Sequence, residues 1–165
     1  MKNMDWDTYF MSLVYFVAMK SKDRSTKIGA IIVGPDNEIR STGYNSFPRG
    51  VNDNVEERQD RPLKYSWFSH AERNSIYNAA RIGISVKDCV MYTNGVPCNH
   101  CAFGVINSGI KEVVVDDEWN RNNYGVWLQE AERSMVMFEE AGVKVRFWKG
   151  SIFREIVKFR NGEKI

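Results

Sequence analysis

Apolar side chains recur along this chain in two rhythms that alternate. Trp6, Phe10, Leu13, Val14 and Val17 share one helical face behind Asp5, a residue suited to cap a helix, so the first element is predicted as a helix of about four turns. Ile28–Val33 and Glu38–Gly43 read as strands, and the turn cluster Gly34-Pro35-Asp36-Asn37 between them suits a hairpin. Tyr44 to Phe68 is irregular and rich in Arg, Asp, Asn and Pro; a loop that long in a compact domain is more often functional than idle. A helix over His70–Arg81 stopped by Gly83, a strand over Cys89–Thr93, a helix over Cys98–Ser108 stopped by Gly109 and a strand over Glu112–Val115 follow. Trp127, Ala131, Met135 and Phe138 form a further helical stripe ended by Gly142, before a strand over Val143–Phe147 and a terminal helix over Ile152–Phe159.

The order α-β-β-α-β-α-β-α-β-α implies an α/β sandwich, with the hairpin at one end of a largely parallel sheet and helices on its faces. At 165 residues, 43% apolar and 27% charged, the chain fits a single domain over 1–165, with a core from about 5 to 147 and a C-terminal helix near 150–160. The formal charge of +2 comes from interleaved acids and bases, which disfavours a protein that tracks a polynucleotide but leaves room for a small anion in a local pocket. The longest apolar stretch, Leu13–Ala18, is too short to span a membrane and no leader is evident, so a cytoplasmic protein is expected. Three cysteines do not suggest a disulfide framework, and Cys89, alone in a strand-like run, reads as a small buried apolar residue.

The candidate chemistry lies at two helix starts. His70-Ala71-Glu72 and Pro97-Cys98-Asn99-His100-Cys101 make the H-x-E…P-C-x-x-C signature of zinc-dependent nucleobase deaminases. His70, Cys98 and Cys101 supply three zinc ligands, whereas a structural site takes four, so the fourth position is predicted to hold the reactive hydroxide. Unpaired N–H groups and the dipole at each helix start favour the thiolate. Pro97 suits a first helical turn, and Glu72 is placed to move a proton from water to the ring nitrogen and the departing ammonia. Taken singly, each piece has another explanation. Ser69-His70-Ala71-Glu72 fits a capping box, and Cys98-Asn99-His100-Cys101 alone could equally be a redox pair. Haem attachment fails because Ala102 follows the second cysteine, and His100 points elsewhere on its helix. The conjunction of both motifs, each on a helix after a strand, favours the zinc site.

With these motifs, Ser21-Lys22-Asp23, Ile28-Gly29-Ala30-Ile31-Ile32-Val33, Gly43-Tyr44-Asn45-Ser46-Phe47-Pro48-Arg49-Gly50, His70-Ala71-Glu72-Arg73-Asn74 and Ser108-Gly109-Ile110-Lys111-Glu112-Val113 resemble the deoxycytidylate deaminase family in its short, phage-like form, from about Asp5 to Phe147. The resemblance implies a three-layer α/β/α sandwich with a mixed five-stranded sheet, and hydrolysis of dCMP to dUMP and ammonia in support of thymidylate synthesis. It places Ala71 N–H against the pyrimidine carbonyl, Ile28 on the ring, Asn45 on the sugar hydroxyl and Arg121 on the phosphate, to which a planar guanidinium can bind bidentately. It further implies a homohexamer activated by dCTP and inhibited by dTTP, with Lys22, Arg24 and Arg49 holding the triphosphate and its Mg2+. Tyr44–Ser69 contains no histidine for a second, structural zinc, so one zinc per chain is expected. The chain departs from the usual pattern at Ser46 and at Asn94-Gly95-Val96. Two other functions fit the motifs: a same-fold deaminase of tRNA adenosine, guanine or free cytidine, and a non-catalytic zinc-stabilised nucleotide sensor, for which Glu72 would have no use.

Overall fold

A computed structural model describes residues 4–161 and 163–164. Helix α1 (Trp6–Ala18) starts where Asp5 accepts the Thr8 N–H at 2.9 Å. Strands β1 (Gly29–Val33) and β2 (Ile39–Tyr44) form the hairpin. The long loop holds two short 3-10 turns, Glu56–Gln59 and Leu63–Ser66. Then come α2 (Ala71–Ile82), β3 (Val90–Thr93), α3 (Asn99–Asn107), β4 (Glu112–Asp116), α4 (Asp117–Arg121), α5 (Val126–Glu140) and β5 (Lys144–Trp148).

The sheet runs β2-β1-β3-β4-β5, antiparallel from β2 to β3 and parallel from β3 to β5. This is the mixed five-stranded sheet expected. Side chains alternate across it, as the two-residue period of a strand requires. Ile31, Val33, Tyr92 and Val114 meet Phe10, Met11 and Val14 of α1 on one face. Ile32, Met91, Val113 and Val115 meet Ala79, Ala102, Val105, Ala131 and Phe138 of α2, α3 and α5 on the other. Cys89 is fully buried in that second cluster, as its sequence context predicted.

One close approach places the site. A Cβ on Gly43 of β2 would stand 2.4 Å from the Ala71 carbonyl oxygen and 2.4 Å from the Ser75 nitrogen. Glycine there lets the first turn of α2 lie directly on the sheet, bringing His70 and Glu72 beside the end of β3.

Two elements differ from expectation. Residues 117–121, between the predicted strand over Glu112–Val115 and the Trp127 stripe, form the short helix α4, because Asp116 caps it by accepting the Glu118 and Trp119 N–H groups. The C-terminal helix over Ile152–Phe159 is not formed. Residues 151–158 have no regular element, and β6 (Phe159–Arg160) pairs antiparallel with β7 (Glu163–Lys164). The spacing of Ile152, Phe153 and Ile156 is helical, but Phe153 and Ile156 are exposed and only Ile152 packs on the core. A two-turn helix with so little of its stripe buried has nothing to offset its nucleation cost. The tail is pinned instead where the Phe153 N–H donates to Ser12 Oγ at 2.8 Å.

Candidate active site

His70 and Cys98 are the N-cap residues of α2 and α3, both in extended backbone, and neither uses its side chain as a cap. The two helix starts therefore point their side chains into one space. His70 Nδ1 lies 3.3 Å from Cys98 Sγ and 3.5 Å from Cys101 Sγ, and the three donor atoms fall within 4.8 Å of one another. Two sulfurs and an imidazole nitrogen at this spacing fit a tetrahedral zinc with one position left over.

Glu72 is buried and turns toward the cluster, with Oε2 3.7 Å from Cys101 Sγ. The capping-box alternative is not what forms, since His70 and not Ser69 caps α2. Burial pushes the Glu72 carboxyl up. The Cys101 hydrogen bond, helped by His70, pulls the Cys98 thiol down to about 3, while the same bond and burial push Cys101 up. Burial opposes the His70 imidazolium, but the hydrogen bond with Cys98, helped by the Glu72 and Cys98 charges, outweighs it and raises its pKa. His100 is exposed, as anticipated, and its ring packs edge-on against Phe103.

The cluster forms one end of a cavity of about 470 Å³. Ile28, Asn45 and Ala71 line it. Asn45 is held from three sides: its Oδ1 accepts the Ile28 N–H at 2.8 Å, and its Nδ2 donates to Thr26 O at 2.9 Å and Asp23 Oδ2 at 3.2 Å. Trp127 closes over His70 at 5.9 Å between ring centroids and meets Tyr65 at 5.7 Å.

Arg121 is not brought to this cavity. Its side chain is 71% exposed and folds back on Asp117, Nε lying 3.2 Å from Oδ2, the i,i+4 partner on its own helix. The cations in the wall are Arg61 and Lys64, from the long loop, and the sequence reading missed them. Lys64 is committed, its ammonium donating to Asp23 and Ser25. Arg61 is exposed, its contact to Ser25 Oγ being a long 3.4 Å. The one available signal was the unusual length and Arg content of that loop. Trp119, Asn122 and Asn123 also line the cavity, so the segment singled out for Arg121 does reach it through other residues.

A second cavity, about 320 Å³, is lined by Lys20, Lys22, Arg49, Tyr44, Asn74 and Asn78 among others. Lys22 pairs with Asp53 at 2.5 Å, and Arg49 donates to Asn78 Oδ1 at 2.8 Å. Arg24 is absent from that wall and forms a fork with Glu56 instead. Arg24 thus does not share that wall with Lys22 and Arg49.

Three donors and a buried carboxylate, gathered by two helix starts on a mixed five-stranded sheet, define a zinc-deaminase class of site. The profile of the cytidine and deoxycytidylate deaminase zinc-binding region matches residues 4–116, and the chain belongs to that family. It is 36% identical to the deoxycytidylate deaminase of Homo sapiens, over 87% of this chain and 79% of that one. It is 34% identical to an uncharacterized deaminase of Aliivibrio fischeri, over 85% of this chain and 91% of that one. In fold it is similar to the dCMP deaminase of cyanophage S-TIM5 solved with dCMP and dUMP, with a TM-score of 0.70 at 21% identity, covering 88% of this chain and all of that one, 100%.

Proposed function

We propose that this protein hydrolyses dCMP to dUMP and ammonia. The observation that carries the reading is the Glu72 carboxylate beside the His70, Cys98 and Cys101 donors, at the end of a cavity that also holds a spare cation. Its relatives named deoxycytidylate deaminase support the choice of substrate.

His70, Cys98 and Cys101 would hold a zinc ion, which would supply a Lewis acid able to lower the pKa of water enough for attack at neutral pH. Glu72 would take one proton from the attacking water and give it to the ring nitrogen, then carry the second, hydroxyl proton to the amino group, so that the water oxygen would remain as the new carbonyl and ammonia depart. Ala71 opens α2, where N–H groups have no intrahelical partner, and its N–H donates to the pyrimidine carbonyl oxygen. Ile28 packs on the ring, and Asn45, fixed by its own bonds, stands against the deoxyribose. Arg61 takes the phosphate role first assigned to Arg121, since it is the wall cation without a close anionic partner.

Regulation by dCTP and dTTP belongs to the second cavity, where Lys20, Lys22 and Arg49 offer positive charge to a triphosphate with its Mg2+. A homohexamer is the assembly proposed, and exposed Tyr77, Ile82, Phe103 and Val136 on α2, α3 and α5 suit burial between subunits. The protein is placed in the cytoplasm; no helix among the described residues is long and apolar enough to cross a membrane.

Ammonia release from dCMP, deoxycytidine, cytidine, guanine and an adenosine-bearing tRNA, with metal analysis of the same preparation, tests this function. Turnover of dCMP far above that of every other substrate, with about one zinc per chain, is expected. An active metal-free protein, or one that prefers another base, would overturn it.

A further inference from the structure

Asn120 touches neither the metal donors nor the cavity, yet it joins the two segments that enclose the substrate end. Its Oδ1 accepts the Val96 N–H at 3.0 Å and an amide hydrogen of Asn123 at 3.2 Å. Val96 leads through Pro97 into Cys98, so one bond grips the turn that carries a metal donor. The other holds Asn123, which faces the cavity.

The neighbouring glycine makes the fit close. A Cβ on Gly95 would meet Trp119 Cδ1 at 3.2 Å, Asn120 Oδ1 at 3.6 Å and Asn123 Nδ2 at 3.7 Å. The wall formed by Trp119 and Asn123 thus rests on the bare backbone of the β3–α3 turn. With five residues, α4 has too few internal hydrogen bonds to hold itself. Its start is fastened by Asp116, which accepts the Glu118 N–H at 2.9 Å and the Tyr15 hydroxyl at 2.6 Å. Its far end is fastened by Asn120, whose bond runs directly to the metal turn.

We infer that Asn120 is a positioning residue for the substrate: it sets the register of the Trp119–Asn123 wall against the Cys98 turn, and so the width of the cavity between them. The inference rests on the reading of this cavity as the dCMP site. Both bonds use Oδ1 as acceptor, so aspartate can stand in for asparagine and alanine cannot. Because the donors and Glu72 are untouched, the effect falls on substrate affinity.

Steady-state kinetics with dCMP on N120A, N120D and N123A, alongside zinc content and far-UV circular dichroism, test it. N120A should raise KM about three- to tenfold with kcat and zinc near those of the parent, the size expected for loss of neutral hydrogen bonds. N120D should stay near the parent KM. N123A should raise KM comparably, and the double variant N120A/N123A should be no worse than the larger single change, since the two residues share one bond. An unchanged KM in N120A overturns the inference, as does an equal rise in N120A and N120D, or a loss shared by kcat and zinc content. If N120A does not fold, a parent-like KM in N123A overturns it. A parent protein inert toward dCMP would instead sink the substrate reading itself, so the two failures are distinct.

Discussion

Lys64 Nζ lies 2.8 Å from Asp23 Oδ2, and the two side chains are only 7% and 6% exposed. The pair braces the cavity wall: Asp23 also accepts the Ser25 and Thr26 N–H groups and an Asn45 amide hydrogen, so residues from three parts of the chain meet on one carboxylate. Removing one partner leaves the other charged and buried. Lys64→Met is therefore expected to lower stability by about 3–5 kcal/mol, read from denaturant midpoints. The double change D23N/K64M should recover part of that loss. A midpoint unchanged in K64M would show the pair to be incidental.

Acid should weaken this protein through identifiable carboxylates. Burial raises the Asp23 pKa, but Lys64 and the Ser25 and Thr26 N–H groups outweigh it and the net direction is down. On Asp7 the Arg146 hydrogen bond dominates and lowers the pKa against burial, with Tyr92 assisting. A carboxylate depressed on folding contributes stability that is present above its unfolded value, about 4, and is lost as pH falls through the lower folded value. Asp7→Asn should thus lower the melting temperature at pH 7, and the gap from wild type should close as pH falls well below 4. A gap independent of pH would mean that packing, and not charge, is what Asp7 contributes.

Glu72 separates proton transfer from helix capping. Glu72→Gln is expected to keep zinc and the circular dichroism of the parent while losing activity on dCMP by a factor on the order of a hundred to ten thousand. Turnover near the parent level would remove Glu72 from the mechanism.

Arg61 and Arg121 make opposing predictions. A charge-assisted bond to phosphate contributes roughly ten- to a hundredfold in kcat/KM. Arg61→Ala should show that loss with dCMP and leave the weak reaction with deoxycytidine nearly unchanged. Arg121→Ala should affect neither, because its guanidinium is turned onto Asp117. The reverse pattern would restore Arg121 to the phosphate and require α4 to rearrange on binding.

The proposed regulation through the second cavity carries a kinetic signature. Effectors act only through different affinities for two states, so dCMP dependence should be sigmoidal, sharpened by dTTP and made hyperbolic by dCTP. Lys22→Ala with Arg49→Ala should blunt both responses, and Arg24→Ala should not. Hyperbolic kinetics indifferent to both nucleotides, in a protein that sediments as a monomer, would remove this regulation.

The sequence by itself determined the class of fold and the reacting centre. Strand and helix periods are local properties, and so are the helix starts that carry His70, Glu72, Cys98 and Cys101; the motif spacing follows from one strand and one helix lying between them. Periodicity also marked Ile152, Phe153 and Ile156 as helical, but whether a stripe becomes a helix depends on having a surface to cover, and the tail lies along α1 by an Ser12 bond instead. Only the tertiary structure decided which cations line the cavity. Arg61 and Lys64 sit in a loop with no period, and the contact of Lys64 with Asp23 spans 41 residues of chain. Arg121 carries the right charge in the right segment, yet a five-residue helix with an aspartate one turn before it aims that charge away from the cavity. Side-chain direction in irregular segments is set by contacts distant in sequence, and those exist only once the chain has folded.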